Sequence, residues 1–303
     1  MKEINVTVKP FVKWAGGKSQ LLSSIRTKYP VDLGQKTNKF CEPFVGGGAV
    51  LFDILSNYKL KEILINDINA ELINTYRQIQ NHVTDLLEQL EDMQNIFWPL
   101  NKEDRKKMYL KKRERFNFLK VNGDERVNVE KAALFIFLNK TCFNGLFRVN
   151  KNGLFNVPMG AYKKPLICDK ENLLVVHKLL QGIKIFCGDY RNCLKFIDEN
   201  TFVYIDPPYR PLTETASFTA YSENMFDDSE QIALGRFVDQ IHEKGAKIVV
   251  SNSDPKNADQ NDDFFDKLYS KYKIERVSAK RMINCNGENR GNINELLISN
   301  YCV

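Results

Sequence analysis

Histidine is scarce in this chain, with three residues in all, and none of the seven cysteines stands in a C-x-x-C pair. That combination argues against a zinc site, and the odd cysteine count argues against a disulfide framework. Cys41, Cys142, Cys168, Cys187, Cys193, Cys285 and Cys302 read as buried or incidental thiols in a reducing compartment. Long apolar runs are missing too. Residues 132–138 make an apolar run of only seven, far short of the ~20 that cross a membrane. No N-terminal stretch resembles a signal peptide, and neither internal repeats nor low-complexity tracts are present. These absences lead to the expectation of a soluble, cytoplasmic protein without a membrane partner. One last absence is local: residues 139–164 hold five lysines and arginines and no acid.

What is present fits a large α/β domain with an insertion. The 303 residues are 43% hydrophobic and 27% charged, an ordinary globular composition with enough chain for a sizeable core. The net charge of +6 says little by itself; its distribution says more, because clustered cations mark a polyanion's footprint. Residues 102–115 carry eight Lys/Arg against three acids. A solvated helix face and a nucleic-acid contact both account for that run. The acid-free stretch 139–164 is also rich in Asn, Gly and aromatics, which favours the second account there.

Strand and helix signals alternate at the two ends of the chain and not in its middle. Segments 39–43, 62–66, 183–187, 202–205 and 247–250 read as strands, with helices at 49–57 and 69–80. Leu234, Phe237, Val238 and Ile241 fall on one helical face. Segments 274–283 and 295–301 flank a turn-rich stretch and predict an antiparallel hairpin. Between the ends, 85–95, 103–119 and 129–140 all read as helices. The expected architecture is a Rossmann-like α/β sheet from residues 1–73 and 169–303, with a mostly helical insertion at 74–168.

Ligands of an open parallel sheet sit beyond the carboxyl ends of its strands, and four predicted strands end in suitable residues. The first runs through Pro43, Phe44, Val45, Gly46, Gly47 and Gly48 straight into a helix, so backbone can approach a ligand closely. The second ends in Asn66 and Asp67, nineteen residues past Gly48, a spacing suited to holding ribose hydroxyls. Capping the next helix is the other use of such an Asp. The third ends in Gly188, Asp189 and Tyr190, which alone could be a turn. The fourth ends in Asp206, Pro207, Pro208 and Tyr209. An exocyclic amine is a poor nucleophile while its lone pair is delocalised into the ring. Acceptors on both of its N–H bonds favour a tetrahedral nitrogen. Asp206 supplies one acceptor, the Pro207 carbonyl on a stiff turn a second, and Tyr209 a face for a planar base.

Taken together, these residues resemble the Dam-type (D12 class, alpha-order) DNA adenine methyltransferases over almost the whole chain. Asp206–Tyr209 is similar to the family's catalytic D-P-P-Y, Pro43–Gly48 to its cofactor loop and Asp67 to its ribose-binding acid. Phe11, Val12, Lys13, Trp14, Ala15, Gly16, Gly17 and Lys18 resemble its F-x-K-W-A-G-G-K segment. The resemblance implies S-adenosylmethionine as cofactor, bound by Trp14, Lys18, Pro43, Phe44, Gly46, Gly48, Asp67, Asp189 and Asp206, and no metal. It implies double-stranded DNA as partner and a monomer acting on it, with a cognate restriction endonuclease left open as functional partner. Residues 139–150 resemble the family's recognition β-hairpin and 155–160 the segment after it. By that likeness Phe143 wedges into the base stack, Asn144 meets the orphaned base, Leu146, Arg148 and Pro158 contact base edges, and Lys13 approaches DNA. Arg is the usual bidentate reader of guanine, and the hairpin's likeness makes GATC the expected site. Read without the family, Phe143 and Leu146 are more often core residues and Arg148 a phosphate contact. Ser217–Tyr221 resembles a stretch beside the target adenine, and Lys280, Arg281 and Arg290 are either phosphate contacts or solvated surface.

Rival readings share parts of this pattern. Methyltransferases of cytosine amines, RNA or protein amides use similar acceptor-Pro-Pro-aromatic chemistry without this hairpin. A DNA-binding module with a decayed cofactor site would not keep Asp206, Asp67 and the glycine loop. Hydride-transfer residues for a nicotinamide enzyme are not evident. Gly17-Lys18-Ser19 imitates a P-loop tail, but Val12 stands where that motif needs glycine.

Overall fold

The structure, a computed structural model, describes residues 8–14, 16–123, 129–210, 226–280 and 292–302. Among these, seven strands form one sheet. They are β1 (Lys39–Glu42), β2 (Glu62–Asp67), β3 (Lys184–Cys187), β4 (Thr201–Ile205), β5 (Lys247–Ser253), β6 (Lys273–Lys280) and β7 (Asn292–Ser299), in the order β3-β2-β1-β4-β5-β7-β6. The first five strands in that order run parallel, while β7 is antiparallel to both β5 and β6. Central strands must be covered on both faces, and all five residues of β4 are buried. The strand order reverses direction between β1 and β4, which are in register from Lys39↔Thr201. The crevice beyond their carboxyl ends is therefore the place for a ligand.

Helix α1 (Leu22–Arg26) precedes β1, and α2 (Ala49–Asn57) follows it with Gly48 as its N-cap at φ 76°. Four helices then surround one another: α3 (Ala70–Asn81), α4 (Val83–Phe97), α5 (Lys102–Asn122) and α6 (Val129–Thr141). Asn69 caps α3 by accepting from Leu72 N, and Asn101 caps α5 by accepting from Glu103 N and Asp104 N. The apolar run 132–138 forms the middle of α6 and is buried on every side, because α3, α4 and α5 all pack on it. No helix among the described residues is long and apolar enough to cross a membrane. Helix α7 (Lys170–Leu179) returns the chain to the sheet. Helix α8 (Asp228–Glu243) buries Leu234, Phe237, Val238 and Ile241 as expected, and α9 (Phe264–Leu268) is short.

One apolar cluster runs from Phe40, Phe202 and Val249 in the sheet to Phe135 and Phe137 in α6. The sheet and the inserted helices thus share a core, and the expected division after residue 73 falls inside α3.

The hairpin expected at 139–150 takes a different form. The described arms are 142–150 and 155–160, joined by single antiparallel bridges Cys142↔Met159 and Val149↔Phe155. Segment 155–160 is therefore the second arm, and a 3₁₀ turn at Phe143–Gly145 breaks the first. Asn144 sits at φ 55°, and Pro158 has no N–H to donate, so a continuous ladder cannot form there.

Candidate active site

The glycine turn after β1 is held from below by β2. Asn66, 1% exposed, donates from Nδ2 to Pro43 O at 3.0 Å and to Gly188 O at 2.9 Å, joining the turns that follow β1 and β3. Asp67 Oδ2 accepts from Gly46 N at 3.0 Å and Oδ1 from Asn69 N at 2.9 Å. The helix-capping use of Asp67 is thus taken over by Asn69, and Asp67 braces the glycine turn. Burial raises the Asp67 carboxyl above its ordinary range, against the pull of those backbone bonds.

Glycine is required at two of these positions. A Cβ on Gly46 (φ 48°) would lie 2.7 Å from Trp14 Cδ1, and one on Gly48 would lie 2.5 Å from the Tyr76 hydroxyl. Trp14 therefore lies directly on the turn. Its ring also meets Phe147, stacked at 5.8 Å between centroids and 22° between planes, and Phe135 at 6.3 Å. Phe44 packs on Tyr190, while Asp189 caps the turn of Tyr190–Lys195 and pairs with Arg191 at 2.7 Å.

Asp206 leaves the end of β4 into a dense polar cluster. Its Oδ1 is 3.0 Å from Lys18 Nζ and accepts from Ser251 Oγ at 3.2 Å. Lys18, 4% exposed, also donates to Gly16 O at 3.2 Å and to the Tyr209 hydroxyl, and lies 4.3 Å from the Tyr209 ring centre. Tyr209 OH donates to Glu295 Oε2 at 2.6 Å, and that oxygen is 3.4 Å from Lys18 Nζ. Burial pushes the Asp206 carboxyl up, Lys18 draws it down and Glu295 pushes it up again. Burial, with the charges of Asp206 and Glu295, holds the Tyr209 phenol neutral.

The prolines of the motif are anchored from α8 and β5. Pro208 O accepts from Gln231 Nε2 at 3.1 Å, and Asn252 fixes that Gln at 3.2 Å. Arg210, next along, pairs with Asp228 and Asp262 and lies over the Phe264 ring.

A buried acid closes the floor. Glu42, the last residue of β1, is 2% exposed, and its Oε2 has no hydrogen-bond partner among the described residues. Burial first, then the charges of Asp206 and Asp67, push this carboxyl well above its ordinary range. Chemically, the crevice offers a backbone cradle beside Asp67, and a carboxylate beside an aromatic ring that accepts from an N–H donor.

The insertion presents its expected residues on the loop after α6. Phe143 is 53% exposed, and Asn144, Arg148 and Pro158 are exposed. Leu146 is half-buried against the core. The loop is braced rather than free: Phe143 N donates to Pro158 O at 2.9 Å, and Arg148 Nε donates to Asn156 Oδ1 at 2.9 Å. Lys13 N and O bond the side chain of Asn139 at 2.8 Å each, and Asn139 also holds Gly145 O at 2.9 Å. The exposed Lys13 thus reaches the surface beside this loop. Ala15, Ser217–Tyr221, Arg281 and Arg290 lie outside the described residues, as does the Lys280 side chain.

Sequence reasoning missed Glu295, Ser251, Glu42 and the stitching role of Asn66. Only Glu42 left a local signal, a lone acid closing a strand directly after the apolar Phe40 and Cys41. The structure brings Lys18 and Asp206, both expected at the cofactor, together at 3.0 Å.

A strand order 3-2-1-4-5 extended by an antiparallel strand, with a glycine turn on the first strand and an acid ending the second, defines a Rossmann-like methyltransferase fold. Residues 14–283 match the family described as D12 class N6 adenine-specific DNA methyltransferase, and the chain belongs to that family. It is 49% identical over 296 residues to the Type II methyltransferase M.MjaIII of Methanocaldococcus jannaschii, covering 97% of this chain and 99% of that one. It is 36% identical to the Type II methyltransferase M1.LlaDCHI of Lactococcus lactis subsp. cremoris, over 99% of this chain and 98% of the relative. To the DNA adenine methylase of Escherichia coli K12 it is 33% identical, over 95% and 94%. The protein is an adenine-specific DNA methyltransferase.

Proposed function

We propose that this protein transfers the methyl group of S-adenosylmethionine to the 6-amino group of an adenine turned out of duplex DNA, within GATC. The observation that carries the chemistry is Asp206, an acceptor on a stiff turn beside Tyr209, at the strand end next to the glycine cradle. The cradle fits the cofactor on its own terms. Its glycines leave no room for side chains against Trp14 and Tyr76, and it lies near two carboxylates, Asp67 and Glu42, the latter with one oxygen, Oε2, unpartnered among the described residues. Pro43, Phe44, Gly46, Gly48, Trp14, Lys18, Asp67 and Asp189 would hold it, and bound there it supplies an electrophilic methyl on a sulfonium.

The chain's residues act on the nucleophile. Tyr209 offers its ring to the flipped base, and its neutral hydroxyl is fixed by Glu295. Asp206 and the Pro207 carbonyl accept the two amine N–H bonds and favour a tetrahedral nitrogen. Lys18, now on Asp206, must yield that oxygen to the incoming amine.

Residues 74–168 form the recognition insertion in this reading. Phe143 fills the vacated stack, Asn144 meets the orphaned base, and Leu146, Arg148, Pro158 and Lys13 meet base edges and the flanking DNA. The exposure of Phe143, Asn144, Arg148 and Pro158 on one braced loop, with the exposed Lys13 beside it, supports that assignment. The relatives named Type II methyltransferases favour a cognate restriction endonuclease as functional partner. We assign a monomer, in the cytoplasm. Single-molecule sequencing of DNA from a methylation-free host expressing the protein tests the reading: modified adenine confined to GATC supports it, and modification elsewhere or none refutes it.

A further inference from the structure

We infer that Glu295 is a positioning residue for methyl transfer, acting through Tyr209 and Lys18 without touching the substrate. The inference rests on the proposed function and extends it to a residue far from the motifs in sequence.

The topology explains how Glu295 arrives. Strand β7 is antiparallel to β5, with Glu295 opposite Ser253. Its amino-terminal end therefore lies beside the carboxyl ends of the parallel strands, where Asp206 emerges. A parallel strand in that place would bring its carboxyl end instead. Glu295 is 13% exposed and meets two groups of the cluster with one oxygen: the Tyr209 hydroxyl at 2.6 Å and Lys18 Nζ at 3.4 Å.

Each contact has a consequence. Without Glu295 the buried Tyr209 hydroxyl loses its acceptor, and the ring it orients is the surface offered to the base. Lys18, in turn, is shared between two carboxylates. Removing one leaves the ammonium committed to Asp206, in competition with the N–H that Asp206 must accept during the reaction. Glu295 thus keeps the ring in place and Asp206 available.

The charged and titratable groups around Asp206 fix the direction of a pH effect. Lys18, from the N-terminal segment, lowers its carboxyl, as does the bond from Ser251 of β5; Glu295 of β7 raises it. Glu42 of β1 is charge-coupled to Asp206, as are Tyr204 of β4 and Tyr209. Removing the Glu295 charge should therefore shift the acid limb of the rate profile to lower pH. The shift shows that the Glu295 charge acts on Asp206, and the fall in kcat separates a positioning residue from a purely architectural ion pair.

The test uses the full chain, with tritiated S-adenosylmethionine and a GATC duplex. Glu295→Ala is expected to lower kcat roughly 10- to 100-fold, the range spanned by a hydrogen bond to a charged group, while the KM for cofactor moves less than about twofold, since no cofactor contact is removed. Glu295→Gln keeps an acceptor for Tyr209 but no charge. It should retain more activity than the Ala variant and show the acid limb displaced to lower pH. In a Tyr209→Phe background the effect of Glu295→Ala should shrink, because part of it passes through the hydroxyl. Should the Ala variant fail to fold, the Gln variant and its pH profile decide. Wild-type kcat and an unmoved acid limb in Glu295→Gln would overturn the proposal alone. A wild-type protein that methylates no duplex adenine would overturn the proposal together with the function beneath it.

Discussion

Trp14 joins the glycine turn to the loop after α6: one side of the indole lies on the Gly46 turn and its ring stacks on Phe147, 5.8 Å away in that loop. Phe147 in turn packs on Phe135 of α6 and on Phe155 of the second arm. The glycine turn is therefore joined through one aromatic column to the loop on which Phe143 and Arg148 are exposed.

The first prediction follows from that column. Cofactor and DNA should each tighten the other's binding, and Phe147→Ala should reduce the mutual enhancement, since coupling is reciprocal and typically ~1–3 kcal/mol. Titrating S-adenosylhomocysteine with and without duplex, in both proteins, measures it. An undiminished coupling in Phe147→Ala would show that the column is only core.

The second prediction concerns the acceptor. Asp206→Ala should lower turnover by ~10²–10³ or more, the cost of removing a preorganised partner of the transition state. The thermal transition should survive, because burial makes the Asp206 charge costly in the folded state. Retention of more than about a tenth of wild-type turnover would remove Asp206 from the mechanism.

The third prediction separates reading from positioning at Arg148. If it grips a guanine by two hydrogen bonds, Arg148→Ala should cost ~1–3 kcal/mol at one base pair and relax discrimination there alone. A phosphate contact would instead weaken all duplexes alike and flatten the salt dependence. Its Nε is held by Asn156, which leaves the far edge of the guanidinium to face outward. Turnover ratios on single-base variants of the duplex distinguish the outcomes.

The fourth prediction is a stability profile set by Glu42. Its carboxyl is raised in the folded state, so between the unfolded value near 4.5 and the folded one the native protein binds the extra proton. Stability then falls as pH rises through that window. Glu42→Gln removes the penalty while keeping the shape. The variant should melt above wild type at pH 7–8, with the gain fading as pH approaches ~4.5. Superimposable melting curves from pH 5 to 8 would mean that Glu42 is ionised at no cost.

What could be read from sequence divides along the chain's own geometry. Asp206–Tyr209, the glycine turn and Asp67 are contiguous or follow one another at a fixed spacing, so strand ends and residue order place them without tertiary information. Glu295 and Ser251 reach the cluster only through the register of an antiparallel strand with its neighbour, and no local pattern encodes a register. The loop after α6 shows the opposite failure. The family resemblance implied a hairpin at 139–150, but Asn144 in the left-handed region and Pro158 without a donor reduce the ladder to two bridges. That Lys18 lies between Asp206 and Glu295 depends on side-chain reach, which its motif does not specify.

The pairing of β1 with β4 has a consequence for biosynthesis. Lys39 and Thr201 are partners in the sheet, so the innermost seam closes only after the whole helical insertion has left the ribosome. Strand β2 and the glycine turn can form early from local chain. One edge of β1 then stays open until β4 is made, with the apolar Phe40 and Cys41 waiting on it. Open strand edges are templates for intermolecular pairing, and pairings between distant segments form slowly. Chaperone dependence and loss to aggregates should therefore concentrate in chains arrested between β3 and β4, which can build the cradle for a methyl donor before they possess anything with which to present its acceptor.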